Sequence, residues 1–383
     1  MISHIMNRIR LLTLLLFSGT LAGQAQQQYH YIFKIGEDSI ALQHYTREKT
    51  IVEGEIISRF PRVMLTTFRY TLNPNGFIQK FEYRSSYPGV SDAIMERQVA
   101  IEDTIVSQEM KRSGKRDSIF SGTFIVQRGA VPSMDNDVSL FEQMLRQALK
   151  EGKDSIMIQR FTNQPSKSYI KKVKDGEFET KVFFFPVRIR VNNNGHLSEV
   201  DATATTIKTI ATAIAPFNFI ELAGIWTEKE KKEGRAGLLS PSDTVRAVIK
   251  GNEMQITFGR PQKRGREIFG NVVPWNQLWR LGSNFATHLT LSKEIQCGDK
   301  TIPAGRYTIW MVPGQEKAIL IINKAINIFG TQYDRSKDLL QLPMKTSRLS
   351  APVEKLSFLL RENETGGELV VQWDDYSFSL DFR

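Results

Sequence analysis

Apolar and polar positions alternate along most of this chain. In the second half, seven short runs are alternating or fully apolar: 254–258, 288–295, 306–312, 318–323, 356–361, 369–373 and 376–382. Turn residues separate most of them, among them Cys297-Gly298-Asp299 and Glu364-Thr365-Gly366-Gly367. A period of two places successive side chains on opposite faces of a strand. About seven strands in about 145 residues predict an antiparallel β-sandwich or barrel for residues 240–383.

The first half, 26–225, is also β-rich. Leu72-Asn73-Pro74-Asn75-Gly76-Phe77-Ile78-Gln79 and Val191-Asn192-Asn193-Asn194-Gly195-His196-Leu197-Ser198 match position by position in chemistry. Both predict Asn-Gly hairpins. Asp-Ser-Ile recurs at Asp38, Asp117 and Asp154, each time where a turn should lead into a strand. One amphipathic helix interrupts the strands. Ser139 with Glu142 reads as a capping box, and Leu140, Phe141, Met144, Leu145, Ala148 and Leu149 form its apolar stripe. Residues 205–215 are a weaker helical candidate. The expectation is a curved antiparallel sheet, a possible half-barrel, packed on a helix. That architecture loosely resembles the half-barrel of periplasmic lipoprotein carriers, and Met144 and Leu145 would then line a groove for an apolar ligand. A charged, glycine-broken stretch, 226–239, reads as the linker between the two halves.

Residues 1–25 have the form of a secretory signal peptide. Arg8 and Arg10 precede the apolar run 11–17, and the small residues of 22–25 suit cleavage after Ala25. The run is well short of the roughly 20 residues that span a bilayer, so no transmembrane anchor is expected. The reading is a periplasmic or secreted protein. Its one cysteine, Cys297, excludes an internal disulfide. Loss of the leader's two arginines takes the net charge from +10 to +8. The surplus suits an anionic glycan, a lipid headgroup or another envelope protein, whereas nucleic acid is an unsuitable partner for an exported chain.

The chemistry concentrates in 257–287. Four glycines, two prolines, two tryptophans and a group of arginines occur together, which specifies an irregular surface. Arg260, Lys263, Arg264 and Arg266 crowd four positive charges into seven residues, so an external anion or internal carboxylates such as Glu267 and Asp334 must compensate them. Arg280 and Asn284 suit a carboxylate or hydroxyl, since a guanidinium donates two parallel hydrogen bonds. Trp275 and Trp279 suit a sugar face or the plugged end of a β-core. Thr287 and Tyr307 complete the candidate ligand-binding set. His288 beside Thr287 raises nucleophilic catalysis, but strand neighbours point to opposite faces. The histidines lack any partner at ligand spacing, so no metal, cofactor or catalytic residue is assigned.

The motifs of the second half, Gly259-Arg260-Pro261, Gly265-Arg266 with Ile268-Phe269-Gly270, Val273-Pro274, Trp279-Arg280 with Gly282 and Asn284, Ala286-Thr287, Pro303-Ala304-Gly305 with Tyr307, Pro313-Gly314 and Asn323, resemble those of the domain-of-unknown-function 2911 family in order and spacing. The resemblance covers about 240–373. It implies a β-rich domain typical of exported proteins of Bacteroidota and little else, since the family has no established activity. Where the family usually has Thr, Ala and Glu, this chain has Leu281, Ser283 and Phe285. The leading expectation is therefore a non-catalytic binding protein using an Arg/Trp-rich surface. The alternatives are a carrier in the N-terminal half-barrel and a hydrolase acting on envelope or glycan material through Arg280, Asn284 and His288.

Overall fold

The computed structural model describes residues 27–383 except 115, 116, 183 and 184, so the expected leader lies outside the described residues. The first half builds one 15-stranded sheet, and the second builds a nearly closed seven-stranded antiparallel barrel.

In the first half, β1 (Gln28–Ile35) to β8 (Ser118–Ile125) run as a meander: β2 (Asp38–Arg47), β3 (Ile51–Ser58), β4 (Met64–Leu72), β5 (Ile78–Ser86), β6 (Met95–Glu102) and β7 (Ile105–Arg112) each pair with the strand before. A second run, β9 (Val131–Pro132), β10 (Ser155–Phe161), β11 (Pro165–Lys174), β12 (Glu177–Val182), β13 (Phe185–Val191), β14 (Leu197–Asp201) and β15 (Ile210–Ala213), returns to the start, where β15 pairs antiparallel with β1. The two matching Asn-Gly segments are equivalent hairpin turns. Asn73 Oδ1 accepts from the amides of Asn75 and Phe77, and Asn192 Oδ1 from those of Asn194 and His196. The Asp-Ser-Ile triplets fall where β2, β8 and β10 begin.

The sheet curls until its ends meet. Phe124 of β8 packs edge-on against Phe161 of β10 at 5.5 Å, and the Gln127 amide donates to Gln159 Oε1 at 2.7 Å. The enclosed space is filled by α1 (Val138–Glu151), whose Leu140, Met144, Leu145 and Ala148 are buried among inward residues of both runs. Met144 and Leu145 are therefore sealed core residues, and the groove expected of an apolar carrier is occupied by the helix itself. Two local expectations change. The helix cap is Asp137, which accepts from the Ser139 amide, so Ser139 and Glu142 form no capping box. Glu142 instead points inward, where it accepts from the Tyr45 hydroxyl and from Arg146 Nε and lies 3.6 Å from Arg47 Nε. Residues 205–215 also form no helix: a turn leads into β15, consistent with the β-branched residues there.

Part of the stretch read as a linker is helical. In α2 (Phe219–Glu233), Phe219, Leu222, Ala223 and Trp226 recur at helical spacing and cover Leu42, Ile57 and Val63 on the outer face of the sheet. Glu230 accepts from the Val63 amide, and the Gly237 amide donates to the Pro61 carbonyl at 2.7 Å. The chain thus reaches the barrel along a fixed path.

Beside α2, the His30 ring is buried, and neither of its nitrogens has a hydrogen-bond partner. It stacks on His44 at 5.8 Å and meets the edge of Phe217; His44 itself contacts Glu55 at 2.9 Å. Burial, followed by the charge on His44, holds the His30 pKa below the usual histidine value. As pH falls below about 6.5, the unfolded chain binds this proton first, so His30 subtracts stability until its depressed folded pKa is passed. Denaturation at pH 7.5 and pH 5 should show a smaller acid loss in His30→Leu than in wild type. Equal losses would place the acid sensitivity elsewhere.

The barrel strands are β16 (Ser242–Ile249), β17 (Asn252–Gly259), β18 (Thr287–Leu291), β21 (Gly305–Val312), β22 (Lys317–Asn323), β23 (Asp338–Asn363) and β24 (Gly366–Phe382), paired in that order. A small hairpin, β19 (Ile295–Cys297) and β20 (Lys300–Ile302), contains the Cys-Gly-Asp turn. The runs 369–373 and 376–382 are one strand, bent at Asp374, whose φ is 51°. Two stretches of barrel strand lie outside the seven runs: β16, which turns Val245, Ala247 and Ile249 to the core, and the start of β23, which turns Leu340, Leu342 and Met344 to it. Burial raises the Cys297 thiol to about 11, which leaves it largely protonated near neutrality.

Candidate functional site

The segment joining β17 to β18 is irregular, as its glycines and prolines require, yet it is fixed to the barrel throughout. Trp279 exchanges both backbone hydrogen bonds with Met311, at 2.7 and 2.9 Å; the Asn276 amide donates to Pro313 O at 2.8 Å, and the Ile268 amide to Asp374 Oδ2 at 2.9 Å. Phe269 packs among Trp275, Trp279, Tyr376 and Phe378. The side chains on this segment are therefore held in preset positions.

Their partners separate structural charges from available ones. Arg260 donates to Asp243 Oδ2 at 2.8 Å and to Leu356 O at 3.1 Å, and Lys263 pairs with Asp374. Arg264 is buried against Asp38 of the first half and lies over the Phe60 ring, which makes it an interface residue. The Glu37 amide donates to Arg264 O at 2.9 Å across the same contact. Gly36, at φ 59°, is required there because a Cβ would lie 2.1 Å from that carbonyl oxygen. The compensating carboxylates are thus Asp243, Asp374 and Asp38, all distant in sequence; Glu267 and Asp334, the expected partners, do not fill that role.

Three more candidates belong to the core. Trp279 stacks on Trp373 at 5.9 Å, at the plugged end of the barrel. Thr287 is buried with its hydroxyl donating to Leu281 O at 2.8 Å, and the buried Tyr307 donates to Pro303 O at 3.0 Å. Trp275 is half-buried against Phe269 and Tyr376. Asn284 is exposed, with φ 62°, and reaches Ser240 O at 3.4 Å. His288 is buried, and its Nε2 accepts from the Asn327 amide at 3.0 Å, so the nitrogen a catalytic base would use is occupied.

Arg266 and Arg280 remain, and they face a cleft of about 900 Å³ between the two halves. The volume is that of a small-molecule site. Its walls come from the barrel segment, from 329–333, from 238–240 and from residues 204–208 of the first half. Lys208, at φ 60°, makes a trio with them on these walls, beside Arg264, which is paired with Asp38. Among the described residues none of the three forms an ion pair, and the cleft lining contains no Asp or Glu. Arg266 donates only to Lys263 O and Gln262 O, and Arg280 only from Nε to Gly282 O, at 3.2 Å. The stem of Arg280 crosses Gly330 so closely that a Cβ there would sit 2.2 Å from its Cδ.

Electrostatics mark the same place. Burial, then the charges of Arg266 and Arg280, hold Lys208 below the usual lysine pKa. Burial and then Arg264 lower Arg266, against the opposing pull of Glu354 and Asp38, and burial alone lowers Arg280. Half-buried cations with no carboxylate among the cleft's own walls, two of them acting on Lys208, raise the energy of the empty cleft, and an anion would relieve it. Sequence reasoning found Arg266 and Arg280 from local density. It missed Lys208, an isolated lysine in a Thr-rich turn, because only folding brings that turn across the cleft.

Residues 240–382 match a family described as a protein of unknown function, DUF2911. No curated protein matches the chain. Among solved structures, a DUF1089 family protein from Pseudomonas aeruginosa is 9% identical, covering 47% of this chain and 94% of that one with a TM-score of 0.30. A β-barrel-like DUF1849 protein from Brucella abortus is 7% identical, covering 50% and 96% with a TM-score of 0.31. Isotype 1 transferrin binding protein B from serogroup B Neisseria meningitidis is 8% identical, covering 94% and 77% with a TM-score of 0.13. Likenesses this weak carry no argument about this chain.

Proposed function

We propose that this chain, whose residues 240–382 form a domain of the DUF2911 family, is an exported, non-catalytic binding protein that holds an anionic ligand in the cleft between its two halves. One observation carries the reading: Lys208, Arg266 and Arg280 line one cleft without a carboxylate among its walls. Cations that have no carboxylate partner and are kept together at a cost are the form a preorganised oxyanion site takes. Export rests on the leader-like residues 1–25.

Calorimetric titration with inorganic phosphate and inorganic pyrophosphate tests the proposal. Saturable 1:1 binding that weakens steeply with added salt is expected, since Coulombic capture is screened. Absence of saturable heat with either anion at low ionic strength would overturn it.

A further inference from the structure

The cleft holds a second kind of surface beside its cations. Ile207, Leu238, Leu278 and Phe329 line it and remain 48%, 60%, 42% and 38% exposed, respectively. They come from four separate segments: the 204–208 turn, the end of the connection after α2, the barrel segment and the 329–333 loop. Convergence of large apolar side chains from unrelated parts of a chain around one opening marks an interaction surface rather than scattered exposure. The pair Phe285 and Phe329, packed edge to face at 5.7 Å, extends the apolar surface outward.

The aromatic groups deeper in the cleft argue against a sugar. Stacking on a pyranose needs an open aromatic face. Trp279 is 9% exposed and covered by Trp373, which is itself buried, and Trp310 is buried against Tyr333. What the opening offers instead is largely aliphatic, with basic groups on the same walls. That combination favours an oxyanion attached to a hydrocarbon over a uniformly polar oligosaccharide.

Resting on the binding reading above, we propose that the natural ligand is an anionic amphiphile, a lipid whose phosphate, sulfate or carboxylate head meets Lys208, Arg266 and Arg280 while its chain covers Ile207, Leu238, Leu278 and Phe329. The cleft is then a lipid site formed jointly by the two halves. It is distinct from the interior of the N-terminal sheet, which α1 fills.

A homologous series of probes tests the proposal: inorganic phosphate, then methyl, butyl, hexyl and octyl phosphate, each titrated below its micelle-forming concentration. Affinity is expected to rise about fourfold per methylene covered by the apolar residues and then level off. The double substitution Ile207→Ser, Leu278→Ser should flatten that rise while leaving the affinity for inorganic phosphate within about twofold. Its thermal unfolding serves as the check on folding. Phosphate binding with no dependence on chain length would overturn the amphiphile and leave the anion site standing. A dependence unchanged by the double substitution would place the chain elsewhere and overturn it too. A uronic-acid oligosaccharide binding more tightly than octyl phosphate would replace it with a glycan. Failure of every probe, phosphate included, would remove the anion site itself.

Discussion

Substituting Lys208→Met together with Arg280→Met should weaken binding of inorganic phosphate at least 100-fold while raising the melting temperature of the empty protein. Both effects have one cause. Each hydrogen bond between a cation and an oxyanion contributes about 1.5–3 kcal/mol, so losing two removes about two orders of magnitude or more. Without ligand, the same cations are half-buried and repel one another with no carboxylate in the cleft walls. Neutral side chains of similar length end that repulsion and keep the aliphatic packing, including the passage of the residue-280 stem over Gly330. Calorimetry paired with thermal unfolding reads both numbers. If the substitutions lower stability, the charges are satisfied in the native state and the cleft is a structural junction.

The pH dependence of the empty protein follows the same sign. The folded pKa of Lys208 lies below its ordinary value, so in the alkaline range the unfolded chain holds this proton more tightly. The Lys208 penalty is fully present below the depressed folded pKa and fades as pH rises through it toward about 10.4.

Glu142→Ala should destabilise the N-terminal sheet by about 3–5 kcal/mol. The carboxylate is 2% exposed and anchors Tyr45, Arg47 and Arg146 at the centre of the enclosed space. Truncation strands the buried Tyr45 hydroxyl and leaves the Arg47 guanidinium with Gln143 and Tyr70 but no counter-charge. Glu142→Gln keeps an acceptor without the charge and should lose less. Urea denaturation followed by far-UV circular dichroism separates the two. A loss below about 1 kcal/mol for the alanine variant would mean that water reaches this cluster.

Which parts of the molecule could be read in advance depended on whether the causes were local. Alternation is local, so the β-rich character of both halves, the Asn-Gly hairpins at 73–76 and 192–195 and the helix filled by Met144 and Leu145 all followed from neighbouring residues. Asp137 and Ser139 are both sound helix caps two positions apart, and contacts from distant strands favour Asp137: Gln43 donates to its Oδ1 and accepts from the Val138 amide, while Tyr45 and Arg47 hold Glu142 inward. At the site, the arginine density of 260–266 was visible, but its division into used and unused charge was not. Asp38 lies 226 positions from Arg264 and Asp374 lies 111 from Lys263, so neither pairing leaves a mark on nearby sequence. Lys208 is the same problem in reverse: a residue unremarkable among its neighbours gains its meaning from two arginines that folding brings opposite it.

The most direct test is a crystal of the protein soaked in selenate, with data collected at the selenium edge and methionine in its natural form. An anomalous peak is expected in the cleft, within hydrogen-bond reach of Lys208, Arg266 and Arg280. Selenate found only at exposed lysines elsewhere, with the three side chains turned away from one another, would contradict it.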